Sequence, residues 1–156
     1  MGKLKILLPH NFTDYDHRAL DFVIRAFAHL EDVEITLFNA YTPMPEIASH
    51  VHEAQILDKL KTNLNQLAHR IKEQEDALNG VKNKLLQNGF SDDQVNCIFK
   101  ARKMDTAGEI IALTLKEHFD MMIINHRPGK VTRFFTGSVY QKILKALKDT
   151  TVCIAT

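Results

Sequence analysis

Residues 121–139 combine side chains and backbone that could bind an anionic group. A strongly apolar run ends at Ile124, and the loop after it ends at Gly137-Ser138, before a helical pattern. The loop carries three basic side chains: Arg127, Lys130 and Arg133. Free backbone N–H groups at the positive end of a helix bind phosphate, and basic side chains strengthen such a site. The segment therefore predicts a phosphate-binding loop.

Each of these signals also has a plainer interpretation. Ser138 is typical of a helix N-cap that contacts no ligand. The three basic residues are equally typical of a solvated surface loop. Their clustering beside a predicted helix start favours the binding hypothesis over ordinary surface charge.

Length and composition predict one domain over residues 1–156. The chain is 45% apolar, and its 20 basic and 19 acidic residues give a net charge of +1, so no global field would recruit nucleic acid or membrane. No apolar run approaches the roughly 20 residues of a membrane span, and the start is too short for a signal peptide. We therefore expect a cytoplasmic protein without nucleic-acid or membrane partners. Cys97 and Cys153 lie in apolar runs and are predicted to be reduced.

Apolar runs that alternate with helical periodicity predict the fold class. Strands are expected at residues 3–8, 34–40, 95–99, 121–124 and 151–155. Thr13 is the predicted N-cap of the first helix with Asp16 in capping-box position, and Asp105 caps a later helix that ends near His118. Alternating strands and helices indicate an α/β protein with a five-stranded, mainly parallel sheet and helices on both faces.

Sites in such sheets lie beyond the carboxyl ends of the strands, so we expect a rim formed by residues 9–13, 40–42 and 125–139. His10 and His126 fall on this rim, but no activated nucleophile with an orienting acid can be identified. No residue is predicted to be catalytic. No metal site is predicted either, because the histidines of His50-Val-His52-Glu53 lack the i, i+4 spacing of a helical zinc site.

Residues 46–88 form a longer segment than a crossover between two strands needs. Apolar residues recur there at three-four spacing, with Gln74 interrupting the pattern: Leu57, Leu60, Leu64, Leu67, Ile71, Leu78, Val81 and Leu85. One interpretation is a helix or helix pair that packs on the sheet, with Gly80 and Gly89 as weak points or ends. The other is that part of the stripe projects and binds a partner helix.

Four segments together resemble the universal stress protein family. They are Lys5-Ile-Leu-Leu-Pro9 with Thr13, Asp105-Thr-Ala-Gly-Glu-Ile110, Phe119-Asp-Met-Met-Ile-Ile124 and Gly137-Ser-Val139. The resemblance spans nearly the whole chain. It implies a Rossmann-like sheet of the adenine nucleotide alpha hydrolase-like type, a role in stress response, and a cytoplasmic homodimer that pairs through its last strand.

The family's nucleotide-binding group carries Gly-x2-Gly-x9-Gly followed by Ser or Thr. Here only Gly137-Ser138 fits, since seven residues instead of nine separate Gly129 from Gly137, and Pro128 has no N–H to donate. Asn11 replaces an Asp that is common in the binders, while Ala40 matches a small residue beneath the base.

The chemistry of the loop, the predicted rim and the resemblance together predict these ligand-binding residues: Asn11, Thr13, Ala40, Asn125, His126, Arg127, Gly129, Lys130, Arg133, Gly137, Ser138 and Val139. The implied cofactor is ATP or AMP, with magnesium if a triphosphate binds. We therefore expect a regulatory protein that binds an adenine nucleotide or another phosphorylated small molecule, weakly or atypically. The alternative is a non-binding homodimeric interaction module. Enzyme activity beyond slow incidental nucleotide hydrolysis is not expected, although the fold alone does not exclude a transferase.

Overall fold

The computed structural model describes residues 2–46, 53–125 and 139–156. These residues form strands and helices in alternation. The strands are β1 (Leu4–Pro9), β2 (Val33–Tyr41), β3 (Val95–Ala101), β4 (Met121–Asn125) and β5 (Thr151–Ala155). The α-helices are α1 (Asp16–Phe27), α2 (Ala54–Gln87), α3 (Thr106–Glu117) and α4 (Val139–Ala146), and a short 3-10 helix, Asp92–Gln94, precedes β3.

The five strands form one parallel sheet in the order β3-β2-β1-β4-β5. The predicted fold class is therefore confirmed. β2 and β3 continue one or two residues beyond their predicted ends because the ladder between them pairs Ile35 with Val95 through to Tyr41 with Ala101. None of the described helices is long and apolar enough to cross a membrane.

Each face of the sheet is covered by a pair of helices. On one face, Leu20 of α1 and Leu78 of α2 pack with Ile6, Leu8 and Ile35 of the strands. On the other, α3 and α4 contribute Ile110 and Ile143 to a cluster with Leu7, Phe38 and Met122. The continuous apolar character of β1 and β4 is explained by burial on both sides. Cys97 and Cys153 are free and half-buried in β3 and β5.

The predicted caps have different outcomes. Asp105 caps α3 as expected, because its side chain accepts a hydrogen bond from the Gly108 N–H, and His118 ends that helix in a left-handed conformation. The prediction that Thr13 is the N-cap of α1 is wrong, since the helix starts at Asp16 after Tyr15. The Thr13 hydroxyl donates to Asp16 instead of accepting from the helix backbone.

The long middle segment contains one continuous helix of 34 residues, α2. Gly80 lies inside this helix, so the interpretation of Gly80 as an end is wrong. Gly89 does follow the helix end, with a φ of 107° that favours glycine. Only the carboxyl-terminal part of α2 is deeply buried, through Leu78 and Leu85. The helix therefore both packs on the sheet and continues beyond its deeply buried part.

Replacing Gly80 by Ala should stabilise the protein by about 0.5–1 kcal/mol, since alanine loses less backbone entropy in a helix interior. A Cβ at this position meets no atom within 4 Å, so no clash offsets the gain. Chemical denaturation of the Gly80→Ala variant measures the change. Gly89→Ala is the matched control and should destabilise, because its backbone φ is positive and an added Cβ lies 3.2 Å from the Ala28 carbonyl oxygen.

Candidate functional site

The carboxyl ends of β1 and β4 lie side by side in the middle of the sheet. β2 and β3 lie on one side of β1 in the sheet, whereas β4 and β5 lie on the other side. Strand order therefore reverses between β1 and β4, which opens a crevice of the kind that binds ligands in parallel α/β sheets. Residues 10–13 leave β1 at this crevice, and Asn125 ends β4 there.

A buried carboxylate, Asp16, organises the β1 side of the crevice. Its Oδ2 accepts hydrogen bonds from the N–H groups of Asn11 (3.2 Å) and Thr13 (2.6 Å) and from the Thr13 hydroxyl (3.2 Å). Asp16 is only 4% exposed, so these donors replace the water that a carboxylate needs. The loop after β1 is thereby fixed to the first turn of α1.

Asn125 connects the same carboxylate to β4. Its Nδ2 donates to Asp16 Oδ1 (3.1 Å), and its Oδ1 accepts from the Ala19 N–H (2.9 Å). The Tyr140 hydroxyl donates to the Asn125 backbone carbonyl, which ties α4 to the same point. Both ends of the Asn125 side chain are thus occupied by protein groups. Its observed role is to hold the two sides of the crevice together.

His10 and Phe12 form the surface of the loop next to Asp16. Their rings meet edge to face at 4.9 Å, and His10 Nε2 lies 4.0 Å from Asp16 Oδ2. Burial lowers the pKa of His10, while the negative charge of Asp16 opposes that shift. The imidazole is therefore predominantly neutral at pH 7. Phe12 has a φ of 58°, an unfavourable conformation for a bulky residue, and residues strained in this way cluster at functional sites.

The end of β2 forms the other wall of the rim. Asn39 Nδ2 donates to the His10 backbone carbonyl (2.8 Å), so β2 also holds the loop after β1. Asn39 Oδ1 is buried and has no hydrogen-bond partner among the described residues. Ala40 is half-buried and packs at the edge of the α3/α4 cluster, and the next residue, Tyr41, stacks on Phe99 at 4.6 Å.

A second buried carboxylate, Glu109, fixes the loop between β3 and α3. It is 1% exposed and pairs with Lys100 Nζ at 2.6 Å, while its Oε1 accepts from the backbone N–H groups of Lys103 and Met104. The Lys100 ammonium and these N–H groups lower the pKa of Glu109 to about 2. Lys100 pairs in register with Ala40, so this cluster supports the β3 end of the rim.

The structure brings together four of the residues predicted to form the site. Asn11, Thr13 and Asn125 share the Asp16 carboxylate, and Ala40 is the second-last residue of the neighbouring strand β2. Val139 begins α4 and is 40% exposed. The remaining predicted ligand residues lie outside the described residues: His126, Arg127, Gly129, Lys130, Arg133, Gly137 and Ser138. Ligand binding by these seven residues stays a prediction. It also stays a prediction for the five residues that the structure describes.

Sequence reasoning missed Asp16 and Asn39 as organisers of the rim. Asp16 was expected only as a capping-box partner, and that half of the prediction holds because its carboxylate accepts from the Thr13 N–H. Nothing in the local sequence indicates the contact with Asn125, which lies 109 positions away. Within the part of the chain that the structure describes, no group of three His, Cys, Asp or Glu side chains could hold a metal ion.

Comparison with known proteins identifies the family. The model of the universal stress protein family matches residues 4–154. The chain belongs to the universal stress protein family. No curated protein matches it significantly. Similar solved structures include hypothetical protein MJ0577, with 23% identity and a TM-score of 0.68 over 99% of this chain and 96% of that one.

Two further similar structures are of universal stress proteins in complex with nucleotides. One is in complex with cAMP, with 13% identity and a TM-score of 0.59 over 100% of this chain and 98% of that chain. The other, from Archaeoglobus fulgidus, is in complex with dAMP, with 13% identity and a TM-score of 0.57 over the full length of both chains. At these identities the similarity establishes a shared fold.

Proposed function

We propose that this universal stress protein binds an adenine nucleotide, or another phosphorylated small molecule, at the rim formed by residues 9–13, 40–42 and 125–139. The observation that carries the proposal is the Asp16 network, which fixes the loop after β1 and the end of β4 on the two sides of the crevice. A crevice held rigid before ligand arrives loses less entropy on binding. The cAMP and dAMP complexes of family members support the choice of an adenine nucleotide.

The proposed roles follow from the chemistry of each residue. Asn11 is exposed at the rim, and its amide can donate to and accept from a base. Ala40 offers a small apolar surface beneath the ring. Arg127, Lys130 and Arg133, with Gly137-Ser138, supply positive charge and backbone donors for phosphate. Magnesium enters the proposal only with a triphosphate.

The proposed cellular role is regulatory, in a cytoplasmic homodimer that responds to stress. Among the strands that the structure describes, β5 lies at one edge of the sheet and pairs only with β4, and Ile154 on this strand is 45% exposed. These features support dimerisation through β5.

The alternative proposal is an interaction module that binds no nucleotide. The observation that favours it is the extent of α2 beyond its deeply buried part.

Titration calorimetry with ATP, ADP and AMP, with and without magnesium, tests the proposed site on protein stripped of ligand. The Arg127→Ala/Arg133→Ala variant should bind roughly 10- to 100-fold more weakly, since it loses two charge-assisted contacts to phosphate. Arg25→Ala/Lys145→Ala removes the same charge from exposed positions on α1 and α4 and should bind normally. Absence of binding at millimolar nucleotide would contradict the proposal and favour the interaction module.

A further inference from the structure

The positions of the apolar stripe on α2 keep a continuous heptad spacing, although one of them is polar. Spacings of three and four residues connect Leu57 to Leu85, with Gln74 as the single polar member. We call the part before Leu78 the α2 seam; it consists of Leu57, Leu60, Leu64, Leu67, Ile71 and Gln74. A three-four repeat sustained over four heptads is typical of a helix that pairs with another helix. A helix that covers only a sheet does not need it.

Burial divides the stripe into two parts. Leu78 and Leu85 are 1% and 0% exposed in the core beneath α1 and α2, whereas every member of the α2 seam keeps partial exposure. Ile56 flanks the α2 seam and is 44% exposed. The same face of the helix is therefore deeply buried at one end and open to further burial at the other.

Helix length explains this division. At 1.5 Å per residue, the 34 residues of α2 extend about 50 Å, whereas at 3.3 Å per residue the nine residues of β2 extend only about 30 Å. Residues 88–94 alone separate the end of α2 from the amino end of β3, so the carboxyl end of α2 lies near the amino ends of the strands. The α2 seam accordingly extends toward and past the carboxyl-end rim.

We propose that the α2 seam packs against the α2 seam of a second copy of this chain, as an antiparallel two-helix coiled coil with Leu64 opposite Leu67 of the second copy. This interface is separate from β5 and from the nucleotide site. In this arrangement Leu57 meets Gln74 and Leu60 meets Ile71 across the pair. Apolar side chains thus cover one another at the centre, and the polar Gln74 lies at each end of the overlap.

The position of the sheet dictates the antiparallel direction. Leu78 and Leu85 pack on the sheet through the same face that carries the α2 seam. Two helices that paired in the same direction would bring both sheets into one space between the helices. In the opposite direction the sheets lie at opposite ends of the pair. Ala54 of the second copy is then level with Ala77 along the axis of the pair, so the second helix begins where the first becomes deeply buried.

The charges beside the α2 seam select the register. With Leu64 opposite Leu67, Lys61 faces Ala68, Asn63 faces Arg70, and the exposed Ile56 faces Ala77. Small residues thereby stand opposite larger ones, and no like charges meet. A shift of one heptad places Lys61 opposite Lys61, and a shift the other way places Arg70 opposite Arg70. Like charges in these flanking positions disfavour both alternatives.

Cysteine cross-linking tests the direction and register together. In a full-length Cys97→Ala/Cys153→Ala background, the Leu60→Cys/Ile71→Cys variant should form a covalent dimer on mild oxidation. Within one helix these positions lie about 16 Å apart, too far for a disulfide. Leu60→Cys and Ile71→Cys alone should remain uncrosslinked, because neither position faces itself. Cross-linking of each single variant would indicate a parallel pair and overturn the proposal.

A charge introduced into the α2 seam tests whether the interface forms without cross-links. Sedimentation of Leu64→Lys should give a mass clearly below that of the native protein, with native circular dichroism: a monomer if α2 forms the only interface, and a dimer if β5 forms a second one. Asn65→Lys, at an exposed neighbouring position, should keep the native mass. An unchanged mass in Leu64→Lys would overturn the proposal. Nucleotide titration of the same variants separates this result from the proposed site, since Leu64 does not belong to the rim.

Discussion

Replacing Asp16 by Asn should lower the free energy of unfolding by about 2–4 kcal/mol, although the two side chains have nearly the same shape. The carboxylate accepts from the Asn11 and Thr13 N–H groups, the Thr13 hydroxyl and Asn125 Nδ2, and an amide has only one oxygen for these donors. The NH₂ group of the asparagine introduced at position 16 would face the NH₂ group of Asn125. Asn125 cannot simply turn over, because its Oδ1 already accepts from the Ala19 N–H.

Chemical denaturation of Asp16→Asn beside Asp14→Asn measures this effect. Asp14 is exposed two positions away, so its variant changes the same charge and should stay within about 0.5 kcal/mol of the native protein. A second readout is the pKa of His10, followed by NMR. That pKa should fall further in Asp16→Asn, because the carboxylate is the group that opposes the effect of burial. Equal stability of the two variants would mean that the network does not hold the rim.

Replacing Glu109 by Gln should cost about 2–3 kcal/mol at pH 7, because the change removes the charge that faces Lys100 in a buried position. The cost should depend on pH. Folding lowers the pKa of Glu109 from 4.5 to about 2, so its contribution to stability is fully present above pH 4.5 and is lost as the pH falls toward 2. The stability difference between the native protein and Glu109→Gln should therefore shrink over this range.

Denaturation curves collected between pH 7 and pH 2.5 measure this difference. Glu117→Gln is the matched control on the same helix, since its side chain is 39% exposed and pairs with Lys116 at 3.5 Å on the surface. Its difference from the native protein should be small at every pH, as expected for an exposed ion pair. A stability gap for Glu109→Gln that stays constant down to pH 2.5 would show that the carboxylate does not provide the pH dependence.

The sequence predicted the elements of this fold because its signals are local. β1 and β4 are uninterrupted apolar runs, and Asp105 lies three residues before the Gly108 N–H that it caps. The start of α1 was predicted too early because the Thr13 hydroxyl serves Asp16 and not the helix backbone. The choice of side-chain partner was not encoded in the spacing.

The organisation of the candidate site was harder to predict because its contacts are distant in sequence. The Asp16–Asn125 hydrogen bond joins residues that are 109 positions apart in the sequence. The hydrogen bond from Asn39 to His10 joins residues that are 29 positions apart. A rim at the carboxyl ends of the strands follows from the topology, so its location was predictable. Which polar groups bind one another, and which stay available for a ligand, depends on packing that no sequence pattern reports. The phosphate loop remains a prediction from residue types.

The central position of β1 affects when the sheet can fold during synthesis of the chain. β1 is the first strand of the sheet to be synthesised, yet it pairs with β2 on one side and with β4 on the other. The Asp120 carboxylate, which accepts from the Lys5 N–H at 2.8 Å, emerges 115 residues after its partner. A nascent chain that does not yet include β4 therefore keeps one edge of β1 unpaired. Closure of the sheet therefore awaits synthesis of β4 and β5, so the central strand of the domain gains its second neighbour only late in the synthesis of these residues.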